Sequence, residues 1–119
     1  MFPSRLRPSF TSSSLQVTEE VTGQQFALRF QFRAGEFFQN NPFVLPRLVD
    51  HVVSEARQPL KAAAAAASAG GKVATHLIDA YCGGGLFCLA AAAHFEQCAG
   101  IEISALNIAS AQRNAALNG

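Results

Sequence analysis

The tightest constraint on the fold is the run Leu77–Gly85, Leu-Ile-Asp-Ala-Tyr-Cys-Gly-Gly-Gly, in which an apolar strand must break into a glycine-rich turn. There the backbone bends sharply and passes close to whatever it contacts, which residues without a β-carbon do at least cost. A helix from about Leu86 to His94 and a second apolar run at Gln97–Ile103 follow, with the acid Glu102 near its end. A glycine turn after one strand and a carboxylate ending its neighbour outline a nucleoside-binding site, because the acid can accept both vicinal ribose hydroxyls. A last helix, Ser104 to Leu117, is stopped by Asn118-Gly119. The order β-α-β-α means a parallel pair joined by a right-handed crossover, and an α/β architecture. Two parallel strands are too few for a covered sheet, so a third is expected beyond Gly119 and residues 73–119 read as an incomplete domain.

Upstream, Phe26, Leu28, Phe30 and Phe32 alternate with polar or small residues, the period of a half-buried strand. Gly23-Gln24 turns into it from a shorter strand at Leu15–Val21, giving a β-hairpin. Ala34-Gly35-Glu36 breaks the pattern, and Phe37-Phe38-Gln39-Asn40-Asn41-Pro42 reads as a loop of polar amides beside two aromatic anchors. Leu45, Leu48, Val49, Val52, Val53 and Ala56 recur at helical spacing, with Pro46 tolerated in the first turn and Pro59 expected to block continuation. Residues 58–72, with Ala62–Ala67 and Gly70-Gly71, are low complexity and read as an insertion or helical extension. Residues 1–14 hold five serines, Arg5, Arg7 and no acid. They read as a disordered Ser/Pro-rich tail rather than a mitochondrial presequence, since no amphipathic face emerges.

Nine Lys+Arg against eight Asp+Glu leave a net charge of +1, so no overall field advertises nucleic acid and any RNA contact must be local. Cys82, Cys88 and Cys98 form no Cys-x-x-Cys pair or His-flanked cluster, which argues against a metal site and for reduced thiols in an intracellular protein, cytoplasmic or mitochondrial. The apolar stretch Leu86–Ala93 falls well short of the roughly 20 residues that span a bilayer, so no membrane association is expected.

Four blocks together carry a family resemblance: Ala34-Gly35-Glu36 with Phe37-Phe38-Gln39-Asn40-Asn41, Asp79-Ala80-Tyr81-Cys82-Gly83-Gly84-Gly85-Leu86-Phe87, Gly100-Ile101-Glu102-Ile103, and Ala111-Gln112-Arg113-Asn114-Ala115 with Asn118-Gly119. They resemble the RNA uracil-5-methyltransferases, above all the fungal tRNA type, from about Leu15 to Gly119. The resemblance implies a partial Rossmann-like S-adenosylmethionine methyltransferase fold, preceded by the β-hairpin and helix of residues 15–57. It implies cofactor contacts from Gln39, Tyr81 and Glu102, with Gly83 and Gly85 giving the cofactor room, and tRNA as partner. Leu86 stands where bacterial relatives carry a polar residue. Oligomeric state is left open.

Relatives attack C6 of the uracil with a cysteine thiolate, so that C5 can take a methyl group before a carboxylate base removes the C5 proton. The resemblance places both groups C-terminal to Gly119, and Cys82, Cys88 and Cys98 match neither. No catalytic residue is assigned, and this chain alone is expected not to methylate anything. Each site residue also has a plain structural reading: Tyr81 as a core aromatic, Gln39 as a loop-capping amide, Glu102 as a helix cap, although Ser104 is the better cap there. Asp79 has two readings, holding the glycine turn through backbone amides or reaching the cofactor's methionine amino group, and the first is favoured because such local bonding is common. Two other readings stand beside the methyltransferase. A nicotinamide-binding Rossmann module would place Cys88 where glycine or alanine is preferred. A non-catalytic remnant would keep the motifs as scaffold.

Overall fold

The computed structural model of the chain describes residues 16–39, 41–67 and 76–119. The expected tail at 1–14, Leu15, Asn40, the Gly-rich end of the insertion and the first residues of the domain read at 73–119 lie outside the described residues. Strands β1 (Gln16–Thr22) and β2 (Ala27–Arg33) form an antiparallel hairpin in which Glu19 faces Phe30 and Gln16 faces Arg33. The turn is closed by the Gly23 N–H donating to the Phe26 C=O at 2.9 Å. As the alternation requires, one face of β2 is apolar: Phe30 is fully buried, and Phe26 and Leu28 pack against the core around it.

Helix α1 (Leu45–Ala56) carries Pro46 in its first turn, and Asn41 Oδ1 accepts from the N–H groups of Phe43 and Val44 just ahead of it. Its buried residues are Leu45, Val49 and Val53, four apart, a stripe narrower than the sequence implies, with Leu48 on the outer side. These three close over Val21 and Phe30 of the hairpin and Leu86, Ala90 and Ala91 beyond, forming one core. The hairpin tip is tied to the same helix, because the Gln24 N–H donates to both Asp50 carboxylate oxygens and Arg57 Nη1 to Gln25 Oε1.

Pro59 does not stop the helical path. Arg57 breaks it, and α2 (Gln58–Ala67) restarts at once with Pro59 in its first turn, where the missing N–H costs nothing. The alanine run that follows has the highest helix propensity of any residue type. The low-complexity segment is thus helical as far as it is described.

Strands β3 (His76–Ala80) and β4 (Gln97–Ile101) pair in parallel, His76 with Gln97 and Ala80 with Ile101. Between them run α3 (Leu86–Ala91) and a 3-10 turn at Ala92–His94, and α4 (Ala105–Asn118) follows. This is the mixed α/β architecture and parallel pair that the β-α-β-α order implies. Leu77 packs against the core, whereas Ile78 and Ile101, pointing to the other side, are 66% and 59% exposed. Among the described residues the two-stranded sheet is covered on one face only.

Phe30→Ala is expected to lower unfolding free energy by about 3–5 kcal/mol, the usual cost of emptying an aromatic core position. Phe37→Ala, at a site 83% exposed, is expected to stay within about 0.5 kcal/mol. Urea denaturation of both variants checks the contrast.

Candidate functional site

The turn after β3 concentrates the left-handed backbone of the described residues. Tyr81, Gly83 and Gly85 have φ of 64°, 53° and 90°, so a non-glycine residue holds a strained conformation at the head of the turn. The turn is fastened at both ends: the Cys82 N–H donates to the Ile101 C=O at 3.0 Å, and the Gly85 N–H to the Cys82 C=O at 2.8 Å. A β-carbon on Gly83 would meet nothing within 4 Å, which leaves open space beside the peptide.

Glu102 follows β4 directly, and its carboxylate turns toward this loop. Oε2 accepts from the Gly83 N–H at 3.0 Å and Oε1 from the Ser104 N–H at 2.8 Å. The Ser104 N–H above all, with that of Gly83, holds the carboxyl below its ordinary range although desolvation pushes the other way, so it is ionised at neutral pH. Ser104 does cap α4, its hydroxyl accepting from the Asn107 N–H at 3.4 Å, as its position implies. Glu102 also takes the N–H that precedes α4, close to its helix-cap reading, whereas its bond from Gly83 has no local signal in the sequence. The Ile103 N–H and the Asn107 side chain also lie close enough to favour the carboxylate, so much of its accepting capacity faces groups of the chain itself.

Asp79 Oδ2 accepts from the Cys88 N–H at 3.1 Å, so the acid anchors the first turn of α3 rather than the glycines themselves. Burial pushes its carboxyl up, and that N–H draws it partly back. Tyr81 is 88% exposed, which sets aside the core-aromatic reading. Gln39 is half-buried on the loop between β2 and α1. Its neighbour Phe38 fixes that loop by stacking on Phe32, ring centroids 4.5 Å apart and nearly parallel. Phe37 is exposed, so one aromatic anchors the loop and not two. No hydrogen bond among the described residues joins the Gln39 side chain to the turn. Tyr81, Gly83, Gly85 and Glu102 are therefore brought together, while Gln39 stands on a separate loop.

The three cysteines are unpaired thiols. A β-carbon on Gly100 would come within 2.5 Å of Cys82 Sγ, so the missing side chain of β4 makes room for this thiol. Burial first, then Asp79 and Glu102, push Cys82 up, and burial followed by Cys98 pushes Cys88 up to about 11. Neutral thiols of this kind are packing groups and poor nucleophiles. They line a cleft of about 500 Å³ between α3, β4 and α4, and Glu102, Tyr81 and Gly83 are not among its walls. Among the described residues, no cluster of three His, Cys, Asp or Glu is placed to hold a metal ion, and no helix is long and apolar enough to cross a membrane.

Residues 9–119 match the tRNA (uracil-5-)-methyltransferase family. The chain belongs to that family. It is 38% identical over 103 residues to the tRNA (uracil(54)-C(5))-methyltransferase of Saccharomyces cerevisiae, an overlap covering 87% of this chain and 14% of that protein. Against the tRNA (uracil(54)-C(5))-methyltransferase of Schizosaccharomyces pombe the identity is 35% over 102 residues, covering 82% of this chain and 18% of that protein. The chain thus spans less than a fifth of the length of these relatives. The family resemblance carried by the four sequence blocks is borne out.

In the sequence Asn114 and Asn118 stand only as part of a motif and as a helix stop signal. Both asparagines bond β2, and Asn114 also bonds the glycine turn. The signal available was their spacing: two poor helix formers four apart on one face of α4 need tertiary partners to justify them.

Glu102 accepts its N–H bonds fully only when ionised, so its contribution to stability is present above its ordinary value of 4.5 and lost as pH falls through its lowered folded-state value. The stability gap between wild type and Glu102→Gln is expected to hold from neutral pH down to about 5 and to close below that. Urea denaturation at a series of pH values measures it.

Proposed function

We propose that this chain supplies the first part of the S-adenosylmethionine-binding domain of an enzyme that methylates C5 of a uracil in tRNA. On this reading residues 73–119 are the opening β-α-β-α of a partial Rossmann-like methyltransferase fold. Residues 15–57 lead into it, and 58–72 form an insertion. The relatives' names supply the reaction and the RNA class. The observation that carries the cofactor assignment is the ionised Glu102 carboxylate held against the Gly83 peptide.

The residues fit a nucleoside with a zwitterionic tail. Glu102 is already oriented by the Ser104 and Gly83 N–H groups, so presenting its carboxylate to vicinal hydroxyls costs little ordering at binding, the hydroxyls taking the place of weaker contacts such as the Asn107 side chain. The open space above Gly83 lets a ligand lie against the backbone. Tyr81, solvent-facing at the head of the turn, offers an aromatic body to the cofactor and a hydroxyl to water. Gln39 both donates and accepts, which suits an amino-acid moiety. When bound, S-adenosylmethionine supplies an electrophilic methyl group on a sulfonium. The task of these residues is to hold and orient it, and the family's nucleophile and base belong to the remainder of the protein. The thiol-lined cleft has apolar walls, lacks Glu102 and is not assigned to the cofactor.

In the complete protein, Glu102→Ala is expected to weaken S-adenosylhomocysteine binding about tenfold to a hundredfold, the value of losing charge-assisted hydrogen bonds. Calorimetric titration measures it, and equal heats for variant and wild type would remove Glu102 from the site. Transfer of labelled methyl to tRNA by the complete protein tests the reaction itself.

A further inference from the structure

Asn114 is 2% exposed and commits both ends of its amide to backbone outside its own helix. Its Oδ1 accepts from the Gln31 N–H on β2 at 2.8 Å, and its Nδ2 donates to the Gly84 C=O at 2.9 Å. One end of this bridge is the middle of the glycine turn. The other is β2, which runs on into the loop that carries Gln39, where Glu36 Oε2 accepts from the Arg33 N–H and Phe38 stacks on Phe32.

We propose that Asn114 is a positioning residue for the cofactor site: one buried amide sets the spacing between the glycine turn and the Gln39 loop, the two walls between which the cofactor is held. The inference rests on the cofactor reading given above and deepens it. Gly85 packs against Leu89 and Ala111, but at its tip the turn has little packing to hold it, since Gly83 faces open space, and both glycines are left-handed. Its middle carbonyl is held by Asn114, as its Gly83 N–H is held by Glu102. Asn118, one helical turn on, makes a similar pair of bonds to the Arg29 N–H and C=O but none to the turn. The molecule therefore contains its own control. Asn118 fastens the hairpin, whereas Asn114 fastens hairpin and turn to each other.

Asn114→Asp keeps the acceptor for the Gln31 N–H but turns the donor into an oxygen facing the Gly84 C=O. In the complete protein this variant is expected to bind S-adenosylhomocysteine at least about tenfold more weakly, with the KM for tRNA within about twofold of wild type. Asn118→Ala is expected to lower Tm and leave the S-adenosylhomocysteine Kd within about twofold of wild type. If the buried carboxylate prevents folding, Asn114→Ala replaces it in the comparison. An unaltered Kd in the Asn114 variant, or equal losses in the Asn114 and Asn118 variants, overturns the positioning role while wild-type binding leaves the cofactor reading intact. Wild-type protein that does not bind S-adenosylhomocysteine overturns both.

Discussion

One side-chain amide holds the architecture in register. A strand edge exposes N–H groups that must be satisfied, and among the described residues the outer edge of β2 has no neighbouring strand to satisfy them. Side chains do it instead: Asn118 takes the Arg29 N–H, Asn114 the Gln31 N–H and Glu36 the Arg33 N–H. Asn114 alone among these is deeply buried, and the same group reaches the glycine turn. An amide buried without partners is heavily penalised, so the hairpin, α4 and the turn have one mutually satisfying arrangement.

Around that joint, the candidate site is made mainly of backbone. The bend after β3 needs three left-handed residues in five, and such a bend stays put only when its peptides are bonded from outside. Glu102 and Asn114 do this from opposite sides, one accepting from Gly83 and the other donating to Gly84. Because the N–H groups of Ser104 and Gly83 keep Glu102 ionised, its charge is oriented before any ligand arrives.

Elements with a strong local period were legible in the sequence. The alternation through Phe26–Phe32 yields β2, the Leu45/Val49/Val53 repeat yields α1, and the glycine run locates the turn and its two strands within a few residues. What was not legible depends on contacts distant in sequence. Pro59 reads as a stop because local rules see a helix it would interrupt, but Arg57 breaks the helix first and Pro59 then suits the start of α2. Phe37 and Phe38 look alike in the sequence, and only the position of Phe32 across the loop decides which one packs. Glu102 was legible as a strand-end acid but not as one already bonded to the Gly83 peptide, and Asn114 carried no visible partner.

The asparagine ladder also bears on how the chain assembles during synthesis. Its bonds join residues 83 and 89 positions apart, so the Arg29 and Gln31 N–H groups of β2 wait for their side-chain partners until almost the whole stretch has left the ribosome. Loop closure over such separations is entropically late, and the hairpin, complete early, waits with a sticky flank. For that interval the nascent polypeptide is most open to wrong strand pairing and most dependent on chaperone shielding, until the last turn of α4 arrives.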